Sequence, residues 1–150
     1  MGMSAERRFS LYRTLAPMTD YIVEFNGHVL SKSLGWVVRA SDSRNYYGLR
    51  LELAKSGPTS EVELVRFAVV DGEQGAAKRI PVPVAVRNQT MKVRVDVVEP
   101  RITTYVEGRA VDYWNDTRLR AGTFGFMNDK EGRAEIGSVR VSSPGNEAGR

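Results

Sequence analysis

The chain has 150 residues, enough for one domain that buries roughly 70% of the surface its unfolded form exposes. It has no cysteine and a single histidine, His28, which excludes a disulfide framework, a thiolate metal site and a histidine cluster. Its 22 basic and 18 acidic residues, a formal net charge of +4, are scattered along the chain rather than gathered into the footprint of a nucleic-acid binder, so the charge reads as a solubility feature with no specific nucleic-acid partner.

No run approaches the roughly 18 apolar residues of a membrane-spanning helix, and residues 1–15 lack the apolar core of a signal peptide, so no membrane insertion is expected. A chain complete as written would stay in the cytoplasm. A piece of a longer protein is equally compatible with an extracytoplasmic place.

In chain order, Phe9, Leu11 and residues 13–15 suggest a first strand that ends before Pro17. Residues 20–30 alternate, with Tyr21, Val23 and Phe25 on one face and Glu24, Asn26 and His28 on the other. A short turn leads to a strand over 34–41, and residues 42–44 turn into a strand over 45–53, with Tyr47, Leu49, Leu51 and Leu53 inward. The dipeptide Gly57-Pro58 marks a loop, and 61–70 alternates again, Val62, Leu64, Arg66 and Ala68 opposing Glu63, Val65, Phe67 and Val69. Prolines at every second place in 80–84 suit an edge strand or an extended loop.

The rest continues in the same manner. Strands are expected over 90–98, 101–106, 109–114, 123–127 and 134–141, with a tight turn at Glu107-Gly108. Nothing shows a sustained helical period. About ten short strands separated by turn residues define an all-β chain and suit a β-sandwich of two antiparallel sheets. The expected domain covers residues 1–141, with its core pattern in 20–141, and 142–150 form a disordered polar tail.

These residues carry a resemblance. The run from Gly35 through Trp36 and Arg39 to Asn45-Tyr46-Tyr47 resembles a hairpin of concanavalin A-like (laminin-G-like) jelly-roll β-sandwich domains. Residues 111–116, 122–126 and 134–141 resemble the closing strands of that superfamily, nearest its 3-keto-disaccharide hydrolase-like branch of bacterial accessory domains. The resemblance implies a jelly-roll fold and leaves activity open, because the superfamily holds lectins, adhesive modules and glycoside hydrolases. The Glu-x-Asp-x-x-Glu strand of one large group of sandwich glycosidases is absent.

The candidate sites follow from parity. Arg39 and Tyr46 are expected to share the face turned away from the core, with Asn45 beside them; a ring next to a forked donor is the chemistry of a saccharide platform, and equally of a cross-strand pair that locks a hairpin. Tyr113 and Trp114 must point to opposite faces, and parity with Val111 makes Tyr113 the core residue, leaving Trp114 to stack on a sugar, to meet a partner, or to lie under residues 81–84. Asn115 and Asp116, and the oxygen-rich loop 128–132 with Asp129, are calcium candidates that turn formation also explains. Glu61 and Glu63 share a face, as a glycosidase pair would, but read as surface charge. Gly122 and Gly125 read as bulge or close-approach positions, since no phosphate-loop Lys-Ser/Thr follows them.

The leading expectation is a non-catalytic module recognising a carbohydrate or glycan through Arg39, Asn45, Tyr46 and Trp114, with no cofactor. The alternatives are a structural or protein-interaction module, self-association included, and a hydrolase acting on a modified sugar.

Overall fold

The computed structural model describes residues 7–12, 18–53, 59–83, 86–129 and 132–144. The strands are β1 (Arg7–Leu11), β2 (Tyr21–Ser31), β3 (Ser33–Asp42), β4 (Asn45–Leu53), β5 (Thr59–Ser60), β6 (Val62–Val70) and β7 (Glu73–Gln74). Then come β8 (Lys78–Pro81), β9 (Val86–Arg87), β10 (Thr90–Val98), β11 (Arg101–Val106), β12 (Arg109–Asn115), β13 (Thr123–Asp129) and β14 (Arg133–Ser142).

They form two antiparallel sheets and a short β5–β9 pair. One sheet has seven strands in the order β1-β13-β3-β4-β6-β7, with β8 also on β6; the other has five, β12-β11-β10-β2-β14. The strand runs read from alternation match closely. The expected loop at Gly57-Pro58, the 13–15 end of the first strand and most of the expected tail, residues 145–150, lie outside the described residues, while β14 itself runs through Ser142. Among the described residues no helix is long and apolar enough to cross a membrane.

The core lies between the sheets, where each strand turns its apolar parity inward. Tyr21, Val23, Phe25, Met91, Val93, Val95 and Val97 from the five-stranded sheet meet Leu34, Trp36, Val38, Tyr47, Leu49, Leu51 and Leu64 from the other, all at most 2% exposed. Phe25 sits edge-on to both Trp36 and Phe126. The tight turns at Asp71-Gly72, Asn88-Gln89 and Glu107-Gly108 all have positive φ at both residues, the twist that suits a two-residue hairpin.

A second buried cluster, Val37, Ala40, Tyr46, Phe67, Val69 and Met127, occupies the far face of the seven-stranded sheet. This sheet is therefore buried on both faces over β3, β4 and β6. Gly48 permits it: a Cβ there would lie 2.5 Å from the Phe67 ring, which crosses β4 at that point.

Candidate functional site

Arg39 is the first residue on which parity fails. The β3–β4 register slips after Val38, and Arg39 has φ 48°, so the strand makes an extra step and the side chain turns inward. Trp36 and Val38 lie in the main core, whereas Ala40 has crossed to the second cluster. Arg39 is consequently 3% exposed rather than on a solvent face. Its guanidinium donates to the Thr19 carbonyl from Nε (3.1 Å) and Nη2 (2.7 Å), to Asp20 from Nη2 (3.2 Å), and to the Glu99 carbonyl from Nη1. The Tyr21 hydroxyl accepts the Arg39 backbone N–H at 2.8 Å, and burial pushes that phenol's pKa up. Asp20 also accepts the Glu99 N–H at 2.8 Å, so the entry of β2, the bulge of β3 and the β10–β11 turn are tied at one point.

Tyr46 does oppose Tyr47, as expected, but the outward face it occupies is covered: it is 2% exposed and packs edge-on to Phe67. Asn45 braces two turns, donating to Asp42 (3.2 Å) and accepting the Asp71 N–H (2.9 Å). Trp114 and Tyr113 are reversed from expectation. A register shift between Thr104 and Tyr105 in the β11–β12 pairing breaks the parity carried from Val111; Trp114 is 7% exposed and Tyr113 is 59% exposed. Trp114 lies edge-on to Tyr47 with ring centres 4.9 Å apart, and the Arg66 guanidinium sits 4.7 Å from its ring centre. Arg66 Nε is 2.8 Å from Asp112 Oδ2, out of line for a hydrogen bond, and burial pushes the Asp112 carboxyl up despite the neighbouring cation. The four expected residues thus do not come together.

Asp116 is fully engaged. It accepts the Tyr47 hydroxyl at 2.7 Å, the Arg118 N–H at 2.9 Å, and the Arg118 guanidinium from Nε at 3.0 and 3.1 Å and from Nη2. Burial alone would raise its pKa, but these donors outweigh it and hold the carboxyl at about 2. Its oxygens therefore serve the loop after β12 rather than a calcium ion. The side chain of Asp129 lies outside the described residues, and among the described residues no three carboxylate or imidazole groups converge.

Two adjoining concavities flank Pro100. A cleft of about 280 Å³ at one end of the sandwich is lined by Thr19, Arg39, Glu99, Pro100, Asp116, Thr117 and Arg120. A groove of about 360 Å³ is lined by Asp96, Val98, Pro100, Arg101, Thr103 and Asn115. The sheet explains the groove's make-up. Asp96 stands opposite Thr103, and Thr103 opposite Tyr113; Val98 stands opposite Arg101, and Arg101 opposite Asn115. Two rows of outward positions on β10, β11 and β12 therefore set a carboxylate, a hydroxyl, a phenol ring, an aliphatic side chain, a guanidinium and an amide side by side. Arg101 lies 5.9 Å from the Tyr113 ring centre.

Parity in the sequence places Tyr113 in the core and Asn115 in a turn, and it singles out none of Arg101, Thr103 and Arg120. The alternation of Arg101 and Tyr105 with buried Ile102, Thr104 and Val106 is the available signal, although Thr103 between them is buried as well. On the other sheet, Arg79 bridges Glu52 (2.8 Å) and Glu63 (3.1 Å), and Arg50 meets Glu52 at 2.5 Å, so those outward carboxylates are tied to arginines.

No protein-family profile matches the chain, and no curated protein matches it in sequence. Solved structures do match in fold. The carbohydrate-binding module CBM66 from Bacillus subtilis superposes with a TM-score of 0.72 at 18% identity, over 95% of this chain and 85% of that one. Xenopus laevis galectin-Ib gives 0.65 at 16% identity, over 90% and 98%. The agglutinin CG-16 from chicken liver, a homodimer, gives 0.63 at 15% identity, over 91% and 100%. The chain has the jelly-roll β-sandwich fold of these proteins.

Proposed function

We propose that the protein is a non-catalytic glycan-binding module and that its site is the β10–β12 face and adjoining cleft around Pro100. The observation that carries this reading is Tyr113, a phenol ring 59% exposed beside a groove of mixed donors and acceptors. A sugar offers an apolar C–H face and a rim of hydroxyls; the ring takes the first, and Asn115 and Asp96 take the second. Arg39 forms part of the cleft wall, and Trp114 supports it from behind through Tyr47 and Asp116. Asn45 and Tyr46 act on the frame of the sandwich and not on the ligand.

Hydrolysis of a glycosidic bond needs two carboxylates flanking it. Asp116 shares the cleft with Glu99, but Asp116 is held by Arg118 and Asp96, in the groove, by Arg94, so Glu99 is left without a second uncommitted carboxylate to work with, which supports binding over catalysis. On this reading the chain sits with the sugar-binding modules of its superfamily, not with the keto-disaccharide hydrolases. The protein-interaction alternative has less to draw on. Of the other exposed large hydrophobics, Leu30 and Val139 lie toward opposite ends of the β2–β14 pairing and Tyr12 follows β1, so they make no joint patch.

A glycan array tests the proposal. The wild type gives a specific signal that weakens by roughly tenfold or more in Tyr113→Ala. It is unchanged in Val139→Ala and unchanged by EDTA, since Asp116 is committed to Arg118. A signal that survives Tyr113→Ala overturns the assignment of the site, and silence across the array overturns the sugar-binding reading.

A further inference from the structure

The charges around Pro100 are used unequally. Three carboxylates there each have an arginine of their own: Asp96 is gripped by Arg94 at 2.7 and 3.1 Å, Asp116 by Arg118 at 3.0 and 3.1 Å, and Asp20 meets Arg39 at 3.2 Å. Two guanidinium groups lining these concavities have no carboxylate partner among the described residues. One is Arg101 in the groove, set over the Tyr113 ring; the other is Arg120 in the cleft. Glu99, on the turn between the concavities, brings one opposing carboxylate, and its backbone is bound by Asp20 and Arg39.

The site therefore presents two unneutralised forks, one on each side of Pro100, against one free carboxylate. A guanidinium fork matches the planar pair of oxygens of a carboxylate and the oxygens of a sulfate, through charge-assisted bonds that a neutral hydroxyl does not reproduce. Building on the sugar-binding reading above, we propose that the ligand is an anionic glycan, its acidic groups, carboxylate or sulfate, taken by Arg101 and Arg120 while Tyr113 stacks on a sugar ring. A neutral glycan would use the ring and leave both charges idle.

The experiment is an array that carries neutral, uronate-containing and sulfated glycans, read for the wild type, Arg101→Gln and Arg120→Gln. Arg140→Gln serves as a charge control, being on β14 at the opposite edge of the same sheet. The expected hits are acidic, and the uronate and sulfate arms show which acid is preferred. Each of the two site variants weakens them by roughly tenfold or more, while Arg140→Gln does not. The signal also falls as salt rises from about 0.05 to about 0.5 M. Neutral glycans bound as well as acidic ones, with loss only in Tyr113→Ala, would overturn the anionic assignment and leave the sugar-binding reading standing. Acidic hits untouched by both arginine variants would overturn it as well, and silence across all three arms would overturn both readings.

Discussion

Arg39 shows how one side chain can hold a fold and still shape a site. Its guanidinium is spent on two backbone carbonyls and Asp20, at the meeting point of β2, β3 and the β10–β11 turn. Replacing it with Met leaves those acceptors without donors, and we expect a loss of about 3 kcal/mol in urea unfolding. Arg39→Lys should recover little of this, because an ammonium cannot present a planar fork to separated carbonyls. Full recovery by Lys would show that charge alone matters. Asp116 makes a pH prediction. Its folded pKa of about 2 lies below the ordinary 3.8, so its stabilisation is present above 3.8 and is lost as pH falls toward 2. The stability gap between wild type and Asp116→Asn should therefore narrow through that window. A gap independent of pH would mean that folding does not depress the Asp116 pKa.

At the scale of strands, close approach is the governing constraint. A Cβ on Gly35 would lie 2.2 Å from the Met127 carbonyl oxygen, in the neighbouring β13, whereas nothing lies within 4 Å of one on Gly137. Gly35→Ala should cost roughly 3 kcal/mol, and Gly137→Ala should be neutral or stabilise by about 0.5 kcal/mol, both read by thermal unfolding. Equal effects would contradict the packing described for β3 and β13. Strand parity was legible from the residues wherever pairing is regular, as in β2, β4, β6 and β10. It failed at Arg39 and at Tyr113 and Trp114 for one physical reason. A bulge adds a single residue to one strand, reverses every later side chain, and leaves no mark in the composition. Parity puts Tyr46 on the correct side, and Val65, Phe67 and Val69 on the same face of β6 are the sign that this sheet has no wet face there.

For the whole molecule, a sandwich with one sheet apolar on both faces over its central strands leaves the outer face of the five-stranded sheet as the more exposed and chemically varied surface. Its rim at Pro100 joins that face to the cleft at the end of the sandwich, and β12, an edge strand, sets Tyr113 opposite Thr103 beside the groove. The fold was readable because it rests on alternation summed over many residues. The proposed site was not, because it depends on which of two neighbouring aromatics the bulge turns outward. Backbone amide chemical shifts, followed during titration with the strongest glycan from the array, test the central claim most directly. The account predicts that the shifted amides gather at residues 96–103 and 113–120, with β4 and β6 undisturbed; shifts gathered on β4, β6 and β8 would contradict it.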